Sequence, residues 1–149
     1  MIYFLIALVI GLALAPLLHF LPSKRQRALA GLREAAAVGG LFVEFRDLPE
    51  SGARHRPGPI AERQLIYYGL RLPPSRGKEL RSGAWLQGID GWRPALGRAE
   101  IPPILLEMPA EILAASLDES SCGVYWRETG DVETVHRIRR LLGLWAEQI

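Results

Sequence analysis

From Met1 to Leu21 the chain reads MIYFLIALVIGLALAPLLHFL without a formal charge, and this apolar run stops at Pro22-Ser23-Lys24-Arg25-Gln26-Arg27. A helix rises about 1.5 Å per residue, so roughly 20 apolar residues cross a hydrocarbon core about 30 Å thick. The pattern predicts a transmembrane anchor over residues 1–22. Residues 28–38, ALAGLREAAAV, then place Leu29, Leu32 and Ala36 at helical spacing ahead of Gly39-Gly40, which predicts a juxtamembrane helix within residues 23–40.

Beyond Gly40 the period changes from helical to alternating. Leu41, Val43 and Phe45 fall on one face of a predicted strand, and residues 64–72, QLIYYGLRL, read as a second. Residues 47–63 are rich in proline, glycine and charge and read as a loop. Residues 83–89 and 92–96 flank Asp90-Gly91, a dipeptide suited to a tight hairpin, and Pro94 assigns the second of these strands to a sheet edge. Residues 109–117 open with proline and read as a short helix; residues 122–127 read as the last strand. From Asp131, a credible N-cap, Val132, Val135, Ile138, Leu141, Leu142, Trp145 and Ile149 share one helical face. The expected fold is α+β: an N-terminal transmembrane helix, then a cytoplasmic domain over residues 41–149 in which a small, mainly antiparallel sheet packs with one or two helices.

Charge gives the anchor a direction. Lys24, Arg25 and Arg27 follow the apolar run and nothing basic except the terminal amine precedes it, so the positive-inside rule places the C-terminal domain in the cytoplasm, with these three residues at the membrane interface. The N-terminus lacks the basic start and small-residue cleavage site of a secretory signal, which favours a retained anchor. The net charge is only +2, but Arg46, Arg54, Arg56, Arg63, Arg71, Arg76, Lys78 and Arg81 make the middle of the chain basic, a pattern suited to anionic lipid or nucleic acid. The single cysteine, Cys122, rules out an intrachain disulfide.

Candidate chemistry is sparse. His55 stands in a loop between two arginines, His19 at a helix end without an acidic partner, and His136 with Glu133 lacks the second histidine of a zinc-protease helix. Common nucleotide, dinucleotide, serine-hydrolase and zincin signatures are absent, so neither a catalytic centre, a metal nor a cofactor is expected. Trp85, Trp92 with Arg93, and Trp126 with Arg127 combine residues favoured at interface hot spots, and form the expected partner-binding set where they are not consumed by the core. No RNA-binding strand signature accompanies them, so nucleic acid is not the expected partner.

Pro22 to Arg27, Leu41 to Phe45, and Val124 to Glu128 with Gly130 are the elements of a wider likeness. In them the chain resembles a group of short bacterial single-pass inner-membrane proteins that share an apolar N-terminus, a PSxRQR-type juncture and a VYWRE-G ending before a last helix. Such proteins are sometimes labelled YajC-like, after the translocase accessory subunit, which resembles this chain in its anchor and basic juncture. The resemblance implies an inner-membrane protein and attaches no activity to it; the expectation of a non-enzymatic module binding another membrane protein or complex comes from a dedicated anchor joined to a domain with tryptophan and arginine but no catalytic constellation.

Overall fold

The computed structural model describes residues 1–19, 23–49, 64–74 and 82–149. The chain forms two compact units, Met1–Ala30 and Gly31–Ile149.

The first unit contains helix α1, Ile2–His19, and the opening turns of α2, Lys24–Val38. Ser23 begins α2 with a reciprocal cap: its hydroxyl accepts from the Gln26 amide at 3.2 Å, while the Gln26 carbonyl oxygen accepts from the Ser23 amide at 2.8 Å. Among the described residues no helix is long and apolar enough to cross a membrane. Of the expected span, the side chains of residues 12–19 and the whole of residues 20–22 lie outside the described residues.

The second unit is α+β. It takes in the last part of α2 from Gly31 onward, where Leu32 and Ala36 are buried. Gly40 ends α2 at φ +82°, a conformation glycine adopts without steric cost, and the Leu41 amide returns to the Ala36 carbonyl at 2.9 Å. Six strands follow: β1 Phe42–Asp47, β2 Gln64–Arg71, β3 Gly83–Gly88, β4 Gly91–Pro94, β5 Ile112–Leu117 and β6 Ser121–Trp126. They build one sheet in the order β1-β2-β6-β5-β3-β4, antiparallel at every pairing. A 3₁₀ helix, Pro103–Glu107, precedes β5, and α3, Val132–Gln148, closes the chain.

Residues 109–117, expected as a helix, instead contribute a strand deep in the sheet. Ala114 and Ala115 favour a helix in isolation, yet both are fully buried between β6 and β3, where larger side chains would not fit. Tertiary packing overrides the local preference. The hairpin after β3 turns on Ile89-Asp90, one residue earlier than expected, with Gly91 at φ +103° as the first residue of β4. Pro94 does occupy an edge strand.

Strand alternation separates two faces. Ile66, Tyr68, Trp85, Cys122, Val124 and Trp126 point to one, against which α3 packs: the Cys122 thiol lies 3.8 Å from the Leu142 carbonyl oxygen, and the Trp85 and Trp145 rings meet edge to face at 5.8 Å. Val135, Ile138, Leu141, Leu142 and Trp145 supply the α3 side of this core, as their spacing predicts. Asp131 caps the helix by accepting from the Thr134 amide at 2.9 Å.

Phe42, Leu65, Tyr67 and Tyr125 share the other face and form a second, aromatic cluster. Gly69 and Gly123 stand directly opposite each other there, leaving the backbone bare for the Phe42 and Tyr67 rings to lie across. The sheet curls over this face: Arg46 on β1 comes within 3.9 Å of Asp118 in the turn between β5 and β6, two strands away from β1's own neighbour. A register shift between Ile112 and Ala114 adds local twist.

Candidate functional site

The tryptophans of the expected partner-binding set are core residues. Trp126 is fully buried, Trp85 is 4% exposed and Trp92 9%. The Trp85 indole nitrogen donates to the Glu100 carbonyl oxygen at 3.1 Å, and the Trp126 ring meets Tyr68 edge to face at 5.2 Å. Their rings offer no surface to a partner, because alternation turns Trp85, Trp92 and Trp126 toward the helix-covered face. Arg93 and Arg127 remain exposed, Arg93 turned away from Trp92 by that same alternation and Arg127 just past the end of β6. Of the expected interfacial residues, Lys24, Arg25 and Arg27 are exposed on the first turn of α2. His55, Arg54, Arg56, Arg63, Arg76, Lys78 and Arg81 lie outside the described residues, and so does most of the basic middle segment.

Three polar arrangements stand out in the domain; sequence reading identified neither of the first two, and of the third it singled out Asp131 as an N-cap and the pair His136 and Glu133. The first joins α2 to the end of β6. Glu128 sits at φ +53° with its carboxylate almost wholly buried, and Arg33 holds both oxygens, Nε to Oε1 at 2.9 Å and Nη2 to Oε2 at 2.7 Å. Tyr68 donates its hydroxyl to Oε1 at 2.9 Å. Hydrogen bonding to Glu128 raises the Arg33 pKa against the opposing effect of burial, while burial and then Glu128 drive the Tyr68 pKa up, so the tyrosine is a fixed donor. Arg33 and Tyr68 both spend their hydrogen bonds on Glu128, so the three form a clamp between α2, β2 and the end of β6.

The second arrangement closes the aromatic face. The Arg46 guanidinium stacks 4.1 Å from the Tyr67 ring centre, donates from Nε to the Glu44 carboxylate at 2.9 Å, and faces Asp118. Burial opposes ionisation of Asp118, but amide and hydroxyl hydrogen bonds from Ser120 and Ser121 outweigh it and hold the carboxyl below its ordinary range. Burial also raises the Tyr67 pKa.

The third is an open cleft of about 630 Å³ between residues 109–111 and the start of α3, lined by Glu111, Asp131, Glu133, His136, Arg137 and Arg140. Its charges are mixed, and Arg137 is already engaged with the Glu107 carbonyl oxygen at 2.9 Å. The Asp131 carboxylate is engaged in capping α3. His136 is exposed on the helix surface, without the rigid second group that a general base needs. Among the described residues no three histidine, cysteine or acidic side chains converge to hold a metal. Cys122 is fully buried, and burial pushes its thiol up to about 12, which suppresses the thiolate a nucleophile requires.

The sheet edges differ in their protection. β4 carries Pro94, whereas β1 presents six residues without proline or bulge, and among the described residues no strand pairs with its outer side. Phe45, at its middle, is 65% exposed, with Arg33 5.5 Å from the ring centre. Phe42 turns to the aromatic face instead, so the apolar side chains of β1 are divided between the two faces rather than gathered on one. No protein-family model, curated protein or solved structure matches the chain.

Proposed function

We propose that the chain is a non-enzymatic, membrane-tethered accessory module: residues 1–22 anchor it in an inner membrane, and the α+β domain binds another membrane protein or complex on the cytoplasmic side. The observation carrying this reading is the disposition of the reactive groups. Glu128, Arg33 and Tyr68 satisfy one another, Cys122 is sealed in the core, and His136 stands on an open surface without a positioned partner. Catalysis needs polar groups that converge on a vacant position. The described domain instead offers an unprotected strand edge bearing an exposed phenylalanine.

The anchor rests on the uncharged sequence from Met1 to Leu21 and on α1, whose 18 residues extend about 27 Å at the usual helical rise. Orientation rests on Lys24, Arg25 and Arg27 under the positive-inside rule. The resemblance to YajC-like inner-membrane proteins, carried by motifs alone, points the same way.

Two measurements test the proposal. Carbonate extraction should leave the full chain in the membrane fraction, and a protease added outside spheroplasts should leave the domain intact. Crosslinking in intact membranes followed by mild detergent extraction should recover the chain with another membrane protein; recovery solely as a monomer under several detergents would overturn the interaction reading.

A further inference from the structure

The exposed edge of β1 carries a charge pattern complementary to itself. We propose that β1 pairs antiparallel with β1 of a second copy of the chain, about a two-fold axis through Phe45, joining the two sheets into one. The inference rests on the domain and does not require the proposed anchor or accessory role.

The register follows from elementary pairing rules. In a two-fold antiparallel pair, residues opposite each other point to the same face, so the axis passes through a residue. An axis through Glu44 would set Glu44 against its own copy, and an axis through Arg46 would do the same to Arg46; like charges directly opposite destabilise a sheet. An axis through Phe45 sets each Glu44 opposite the other copy's Arg46. The same register pairs Phe45 with Phe45 and Phe42 with Leu48, so aromatic and apolar side chains meet on both faces.

Three observations converge on this edge. Glu44 and Arg46 lie on one face and already attract each other at 2.9 Å, so pairing would join the ion pairs of the two copies into a square of four alternating charges. Phe45 is 65% exposed at the centre of the edge, where a soluble surface would place a polar residue. Proline and bulges, the usual devices against edge pairing, are missing from Phe42–Asp47, although Pro94 marks the opposite edge.

The test uses the full chain in mild detergent. Phe45→Cys introduces a reactive thiol at the axis, and the native Cys122 does not compete because it is buried. Gentle oxidation should convert most of Phe45→Cys to a disulfide-linked dimer, at least about tenfold more than Leu106→Cys, an equally exposed position away from the edge. Sedimentation should show a dimer whose dissociation constant rises about tenfold or more in Glu44→Arg, which brings like charges face to face. Glu44 is half exposed, so an unchanged melting profile will show that this variant folds.

A monomer at tens of micromolar, or crosslinking of Phe45→Cys no better than that of Leu106→Cys, overturns the proposal. So does a dimer indifferent to Glu44→Arg, since the charge-paired register is then wrong. Copurification of a different membrane protein with a strictly monomeric chain would refute β1 self-pairing while leaving the accessory role standing.

Discussion

Arg33 grips Glu128 with two parallel hydrogen bonds, at 2.9 and 2.7 Å, across 95 positions of sequence. The pair ties the last part of α2 to the loop that follows β6, and Tyr68 completes it from β2. Arg33→Met would leave a carboxylate whose side chain is 3% exposed with the tyrosine hydroxyl as its remaining partner. Stranding one member of a buried pair costs about 3 to 5 kcal/mol; Arg33 is itself 37% exposed, so solvent screening lowers the expected loss to about 2 kcal/mol. Denaturant unfolding of Arg33→Met, Glu128→Gln and the double variant checks this. The two losses should fail to add by at least about 0.5 kcal/mol.

Gly123 should tolerate alanine less well than Gly69. An added Cβ at Gly123 would meet the Tyr67 ring and, at 2.6 Å, the Tyr68 carbonyl oxygen, which is fixed in the sheet. At Gly69 the nearest obstructing atoms belong to the Phe42 and Tyr67 rings and not to backbone, and Phe42 is half-buried on an edge strand. Overpacking of this kind costs about 1 to 3 kcal/mol. We expect Gly123→Ala at or above the upper end and Gly69→Ala near the lower, measured by thermal or denaturant unfolding; equal losses would show that the ring positions, not the backbone, set the constraint.

The local features of this fold were the legible ones. The face of α3 from Val135 to Trp145 and the edge position of Pro94 follow from periodicity and from proline's missing donor. The start of α2 is legible as well, because Ser23-x-x-Gln26 is a capping-box pattern. Ala114 and Ala115 misled because small residues mark both helices and tightly packed strands, and only the arrival of β3 and β6 on either side decides between them. The Arg33, Tyr68 and Glu128 clamp left no local signature at all. Its members come from α2, β2 and the loop after β6, and nothing about an isolated glutamate reports that it will be buried. The tryptophans show the converse: the adjacent pairs Trp92-Arg93 and Trp126-Arg127 look like one surface in sequence, but strand alternation sends Trp92 and Arg93 to opposite faces, and Trp126 is buried at the end of β6 while Arg127 just beyond it is exposed.

Cys122 should be inert in the native protein. Its thiol is buried, approaches the Leu142 carbonyl oxygen and has its pKa pushed up to about 12. A raised pKa in the folded state means that stability is fully present below the unfolded thiol value and declines as pH climbs toward the folded one. Labelling with a maleimide or disulfide reagent at pH 8 should therefore be at least about a hundredfold slower in the native chain than in denaturant. Cys122→Ala should remove part of the stability lost between pH 9 and 12; rapid native labelling would contradict the burial of this residue.

Asp118 titrates in the opposite sense and gives the acid side its own test. Hydrogen bonds from Ser120 and Ser121 overcome burial and keep its carboxyl below the ordinary 3.8, so its contribution is fully present above that value and is lost as pH falls through the lower folded one. Asp118→Asn keeps the shape but removes the charge that faces Arg46 and one strong acceptor of the turn. With the side chain 44% exposed, the expected loss at neutral pH is about 1 kcal/mol. The difference between wild type and Asp118→Asn should shrink as the pH drops below 4 and vanish once the wild-type carboxyl is protonated. A difference that stays constant down to pH 2 would mean that the loss comes from replacing an acceptor oxygen of the turn by an amide NH2 and not from the charge, and that Arg46 is held over Tyr67 by the ring and Glu44.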